Sequence, residues 1–463
     1  MALPKILVEA ERLFSEKKYE ESGRLYDQLL AQNERHPYIL AGMAQVLMNS
    51  SQTIGAAIAL FRASWDRFKE EGDKPPYELP MNMGIAYKYS GQLEKAREWC
   101  KRAIEVEETA ATLSNYGQLF GETDRADEGR EYLEKAVKLD PTMHIARWNL
   151  ALCLLMTAHR DNHWKQAWEE HDHGQYDGGP RLTRRKTDIA VWDGTKGKKV
   201  LVYGEQGIGD EIMFASMLPD LMREAEVILD CHTRLKTLFE KSFGVKCHGT
   251  RKDAEVDWLE QEKPDYILAI GSLGKFYRTD RSQFSGEPYL KADSAPRGSK
   301  FRVGISWTGG RLTERVAKRT VPLSWWDSIL STPGCEFVSL QYTDGAEAEI
   351  EMVNAKFGHS VRQEPAAKEQ DYYELAKFVK SCDLIITVCT SLVHLAGALG
   401  VPCWVMVPKH PAWRYQNSGP MPWYKSVRLY RQPEADTGAW IPVVQRIGLD
   451  LSDLMSAQAQ KAA

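Results

Sequence analysis

Small residues recur through the first third of the chain at a nearly fixed interval. Ala10, Ala44, Gly84, Gly117 and Ala151 are separated by 34, 40, 33 and 34 positions. In the first four units a second small residue follows twelve positions later: Ser22, Ala56, Ala96 and Gly129. Two units are fuller, Gly84-x-x-Tyr87 with Ala96, Cys100 and Ala103, and Gly117-x-x-Phe120 with Gly129, Leu133, Ala136 and Pro141. A period of this length specifies paired helices that touch where the side chains are small and bury the large residues between pairs. Such units form a stack, not a single closed core. The insertion Glu70-Glu71-Gly72-Asp73-Lys74-Pro75-Pro76 accounts for the longer second interval, and Trp164-Lys165-Gln166-Ala167-Trp168 displaces the fifth unit by about four residues, as an atypical terminal repeat would.

This pattern, closing proline included, resembles the tetratricopeptide repeat over roughly residues 3–175. The expected first domain is therefore a repeat array over 1–175. The resemblance implies a concave surface that binds an extended peptide or protein, or alternatively an array that only holds domains together. A Gly-, Arg- and Asp-rich stretch follows, and 176–198, with Arg181, Arg184, Arg185 and Lys186, is expected to be a solvated linker.

Beyond it the chain alternates apolar runs with helical segments, which predicts parallel sheets covered by helices. Lys199–Tyr203 is a strand running into Gly204-Glu205-Gln206-Gly207-Ile208-Gly209-Asp210-Glu211. Glycine between a strand and a helix lets the backbone approach a ligand. Asp210 there is either a helix cap or a carboxylate facing a cleft as a general base. The expected first lobe spans 199–293 and the second 300–432, with a hinge near Ser294–Lys300. In the second lobe Trp307–Arg311, Gln341-Tyr342 and Cys389–His394 all follow strands, the edge where open α/β sheets bind ligands. Thr390 or Ser391 caps a helix ending at Gly400, and a hydroxyl-rich helix N-terminus suits phosphate. His394 lies one turn in, where a cation could reach a diphosphate; the competing reading is a capped core helix with a buried histidine. The aromatic and basic stretch from Pro411 to Gln432 is either a packed tail or a stacking platform, with Lys409 and Arg414 the candidate phosphate contacts.

Composition excludes several classes. Across 463 residues the net charge is −4, so no global basic field argues for nucleic acid. No apolar run has the length of a membrane span. Met1-Ala2-Leu3-Pro4-Lys5 leads into Glu9 and Glu11, unlike a secretory leader. Eight scattered cysteines without a C-x-x-C pair point to a reduced, cytoplasmic protein and no zinc site.

Gly204–Glu211, Gly304-Ile305-Ser306-Trp307-Thr308-Gly309, His394–Gly400, and Trp413-Arg414 with Pro422-Trp423-Tyr424 occur in this order. Together they resemble the bacterial tetratricopeptide-linked glycosyltransferases related to the heptosyltransferase family, over about residues 199–432. The resemblance implies an α + α/β chain: the helical array, then a two-lobed GT-B glycosyltransferase domain of two Rossmann-like parallel sheets. It implies metal-independent transfer from a nucleotide-diphosphate sugar, the donor substrate, to a protein or peptide held by the array, with no separate cofactor. Asp210 matches the family's base, and Thr390 and His394 match its diphosphate-binding segment, while Cys389 stands where heptosyltransferases carry aspartate. The candidate substrate contacts are Gly207, Gly209, Glu211, Trp307, Arg311, Arg319, Gln341, Tyr342, Cys389, Thr390, Ser391, His394, Lys409, Trp413 and Arg414. An inactive repeat scaffold and a lipid-glycan transferase are the alternatives. The segment 433–463 is expected to form a helical tail closing on the first lobe.

Overall fold

The computed structural model describes residues 5–33, 35–50, 52–121, 123–176, 179–181, 187–251, 256–309 and 313–462. They fall into two compact units, one ending at Cys153 and the other beginning at Leu154, with Thr123 and Asp124 joined to the second.

The first unit is a helical-repeat array. Helices Lys5–Ser15 and Tyr19–Gln32, Pro37–Leu47 and Ile54–Glu71, Glu78–Tyr89 and Leu93–Val106, and Ala110–Gly117 and Ala126–Leu139 pack in consecutive pairs. The periodic small residues are the contact points. The Ser22 hydroxyl donates to the Ala10 carbonyl at 2.8 Å, and a Cβ on Gly117 would stand 2.9 Å from the Gly129 carbonyl oxygen. In the second unit of the repeat the buried residue is Ala57, while Ala56 is exposed. The longer turn before Ile54 shifts the helix by one residue relative to the twelve-residue rule.

The displaced tryptophans have a different role from that of an array cap. They lie in helix Trp164–His171 of the second unit, where Trp168 packs edge-on against Trp413 and Trp423 at 5.8 and 6.3 Å between ring centroids. Trp164 packs against Phe284 at 4.4 Å. The arginine-rich stretch is likewise no solvated tether at Arg181. That side chain is fully buried, forks onto Glu205 at 2.8 and 2.6 Å, and reaches Asp172 at 3.0 Å. Arg184, Arg185 and Lys186 lie outside the described residues. Val191 and Trp192 then run beside Ile267 as an added edge to the first sheet.

Two separate parallel sheets follow. The first contains β1 (Lys199–Tyr203), β2 (Glu226–Asp230), β3 (Cys247–His248) and β4 (Tyr266–Ala269) in the order β3-β2-β1-β4. The second contains β5 (Phe301–Ser306), β6 (Cys335–Ser339), β7 (Arg362–Gln363), β8 (Leu384–Val388), β9 (Cys403–Val407) and β10 (Val427–Arg431) in the order β10-β9-β8-β5-β6-β7. Strands of this kind, covered on both faces, read as continuous Val/Ile/Leu runs, as Leu384–Val388 does with all five residues buried. The chain is thus an α array followed by a two-lobed α/β region.

The connection between the sheets has neither helix nor strand from 284 to 300. It is fastened to the second sheet's helices: the Tyr289 and Leu290 N–H groups donate to the Ala398 carbonyl, and Ala295 N–H to Lys377, each at 3.0 Å. The final helix, Ile441–Ala462, packs on the second sheet and not on the first. Val443, Val444, Ile447 and Leu451 share a core with Val303, Ile305, Trp326 and Ile329. Gly448 permits the approach, because a Cβ there would lie 2.6 Å from the Ser328 carbonyl oxygen. No helix of the described residues is long and apolar enough to cross a membrane.

Candidate functional site

A cavity of about 580 Å³ opens at the carboxyl edges of both sheets. From the first sheet it is lined by Glu205–Asp210 after β1, His232 and Arg234 after β2, and Arg251 after β3. From the second it is lined by Ser306 and Arg319, Leu340 and Tyr342, Ala367, Tyr372 and Leu375, Cys389–Leu392 and His394, and Arg414-Tyr415. Apart from Pro180, every lining residue lies at or beyond the end of a strand, the edge where such sheets bind ligands. Its volume is that of an ordinary small-molecule site.

The two facing helices meet at their first turns. Thr390 caps helix Ser391–Leu399 by accepting from the Leu392 N–H at 3.3 Å, and Tyr372 OH meets the Ser391 hydroxyl at 2.9 Å. Gly209, in helix Ile208–Phe214, backs onto that turn: a Cβ on it would stand 3.2 Å from Ser391 Cα and 3.1 Å from His394 Cδ2. The glycine suits this approach, because a Cβ there would be in tighter than ordinary contact and the facing turn would have to yield by a few tenths of an ångström. Asp210 points across the same junction. One carboxylate oxygen is ion-paired with Arg414, and the other accepts the Gly207 N–H at 3.2 Å.

Four arginines line the chamber: Arg234, Arg251, Arg319 and Arg414. Arg234 donates to the Glu369 and Gln370 carbonyls at 2.7 and 3.1 Å, and Arg319 to the Cys389 carbonyl at 3.3 Å. Among the described residues neither of these two is paired with a carboxylate, so both keep a positive charge for an anion. Arg251 stands 2.6 Å from Glu211.

His394 is not a cation. Burial drives its imidazole down to about 3, Arg414 and Arg319 push the same way, and Asp210 opposes them. The neutral ring is fixed by Tyr424, whose hydroxyl lies 3.1 Å from Nδ1 and 3.3 Å from the Tyr289 hydroxyl, which itself donates to the Ile212 carbonyl at 2.6 Å. Cys389 is buried at the end of β8, and burial raises its thiol to about 11, so it is uncharged.

The structure thus brings together Gly207, Gly209, Asp210, Arg319, Tyr342, Cys389, Thr390, Ser391, His394 and Arg414. Other expected contacts lie elsewhere. Trp307 sits in the core of the second lobe and donates to Glu349 at 2.6 Å. Gln341 is fully buried and holds the loop after β5: its oxygen accepts from Ser306, Trp307 and Thr308 at 2.9, 3.1 and 3.2 Å. Glu211 is buried beneath the chamber, accepting the His232 N–H at 2.9 Å. Trp413 belongs to the aromatic core with Trp168, Phe214 and Trp423, so this ring is packed away from the cavity while the neighbouring Arg414 and Tyr415 line it. Lys409 does not line the cavity, and Arg311 lies outside the described residues. Arg234 and Arg251 are the notable additions; they follow β2 and β3, and applying the strand-end rule to the first sheet as fully as to the second finds them.

The profile of the tetratricopeptide repeat matches residues 80–109 and 110–143. The chain is 30% identical over 293 residues to Protein FlbA of Caulobacter vibrioides, covering 58% of this chain and 48% of that one. A stretch of 74 residues is 35% identical to Protein O-mannosyl-transferase TMTC1 of Homo sapiens, covering 16% of this chain and 8% of that one. The chain therefore spans less than half the length of either relative. Among solved structures, YrrB, a TPR protein with an unusual peptide-binding site, aligns at 18% identity over 36% of this chain and 82% of its own, with a TM-score of 0.29. MamA aligns at 16% identity over 37% of this chain and 94% of its own, with a TM-score of 0.30. The chain carries tetratricopeptide repeats and is related to FlbA.

Proposed function

We propose that the chain is a glycosyltransferase that moves a sugar from a nucleotide-diphosphate donor to a protein or peptide acceptor engaged by the repeat array. The observation that carries this reading is the chamber itself, where four arginines and residues of the first turn of helix Ser391–Leu399 line one space at the strand ends of two parallel lobes. Helix N-terminal N–H groups and guanidinium forks are the groups that bind a diphosphate. On this reading Thr390, Ser391, Arg319 and the neutral His394 hold the donor and stabilise the leaving group. The acceptor oxygen bonds to the sugar's anomeric carbon as the bond from that carbon to the phosphate oxygen breaks. The electron pair leaves with the nucleoside diphosphate, and Asp210 takes the acceptor's proton. The two-lobed GT-B resemblance and the repeats support the same assignment, the repeats supplying the acceptor groove.

Calorimetric titration with UDP, GDP, CDP and ADP tests the donor half. One nucleotide is expected to bind, and Arg319→Gln to weaken it roughly 10-fold or more, since a charged hydrogen bond contributes ~1.5–3 kcal/mol. Because His394 stays neutral above about pH 3, the affinity should show no inflection from that imidazole between pH 5 and 8. Equal affinity in wild type and Arg319→Gln contradicts the site.

A further inference from the structure

The carboxylate assigned to proton removal is occupied. Asp210 is held by Arg414, and the two side chains are only 17% and 15% exposed, inside the chamber that the donor would fill. Arg414 is presented by an anchored turn: Trp413 and Tyr415 on either side are buried at 4% and 2% exposure, which fixes the backbone from which the guanidinium projects. Its other possible anion would bind nearby. Gly209, next to Asp210, touches the first turn of helix Ser391–Leu399, where a diphosphate would lie. An anionic ligand and a carboxylate this close compete for one guanidinium, whose fork matches either, and a diphosphate brings the greater negative charge.

We propose that Arg414 is a transferable cation that guards Asp210 in the empty site and passes to the donor's diphosphate on binding. Arrival of the donor thereby frees the Asp210 oxygen for the acceptor hydroxyl. The inference rests on the donor reading above and adds an order to it: the donor binds first, and the base becomes available only then. An acceptor that enters first meets a carboxylate already spent on an ion pair. Arg414 acts on the reaction by positioning Asp210 and by holding phosphate.

Inorganic pyrophosphate, titrated calorimetrically into the full chain, separates exchange from its rivals. Asp210→Asn keeps a side-chain oxygen able to accept the Gly207 N–H, so the helix start is preserved. Exchange predicts that Asp210→Asn binds pyrophosphate about 10-fold more tightly than wild type, because Arg414 no longer has to be withdrawn from a partner. Arg414→Gln should bind about 10-fold more weakly, and adding Asp210→Asn to it should change the affinity less than 2-fold. If Asp210→Asn alone leaves the affinity unchanged or weakens it, Arg414 bridges both anions and the exchange is wrong. If the tightening persists undiminished in the Arg414→Gln background, it is general charge repulsion, which also overturns the proposal. Wild type that takes up no pyrophosphate contradicts the donor reading itself, a failure distinct from the other two. Melting temperatures of all four proteins confirm that folded chains are being compared.

Discussion

Glu211 and its neighbour Asp210 show how one position along a helix decides a carboxylate's chemistry. Asp210 opens onto the chamber, whereas Glu211 is turned beneath it against Gly204 and Arg251. Burial raises the Glu211 carboxyl to about 8, while Arg251 and the His232 N–H pull it down. A folded-state value above the unfolded one means the folded chain binds the proton more tightly. Stability from this group is complete below about pH 4.5 and is lost as the pH rises through about 8. Glu211→Gln removes the titration, so the fall in melting temperature between pH 5 and 8.5 should become shallower than in wild type; an unchanged slope would show that Arg251 keeps Glu211 ionised throughout. From sequence, Glu211 and Asp210 both follow Gly209 and both qualify as site groups. What separates them is helical direction against a sheet, and the glycine pattern does not encode it. The same limit applies at Trp307 and Gln341, which follow strands as a site residue does but point into the core of the second lobe and into its loop.

At the scale of elements, the repeat spacing located the helix pairs because a small residue at each crossing is a steric requirement. Gly117 against Gly129 is such a close crossing, with a Cβ on Gly117 only 2.7 Å from Leu133 Cγ and 2.9 Å from backbone oxygen. Gly117→Ala gains in helix propensity yet must push the pair apart, and overpacking of this kind costs roughly 1–3 kcal/mol. Chemical denaturation should therefore show a lower midpoint for Gly117→Ala, and a stabilised variant would mean that Leu133 yields at no cost. Strand–helix alternation was legible for the same kind of reason: buried parallel strands need unbroken apolar runs. Less legible were the tryptophans of helix Trp164–His171, Arg181 and the last helix. Each has the local pattern of an ordinary surface element, and each is placed by a partner more than 20 residues away, such as Phe284, Glu205 or Ile329.

For the whole molecule, one chain carries tetratricopeptide repeats and a two-lobed α/β region with an arginine-lined cavity, and the proposed function assigns the acceptor to the first and the donor to the second. The account requires the second to act on what the first engages, with the arginines neutralising the leaving diphosphate and Asp210 receiving the proton. The most direct measurement is release of nucleoside diphosphate when the purified chain meets a panel of nucleotide-diphosphate sugars and a bacterial protein extract as acceptor source. The account predicts release from one donor class, dependent on the extract, and reduced ~10²–10⁴-fold by Asp210→Asn while that variant still binds the nucleotide. Donor turnover at the wild-type rate in Asp210→Asn would contradict it.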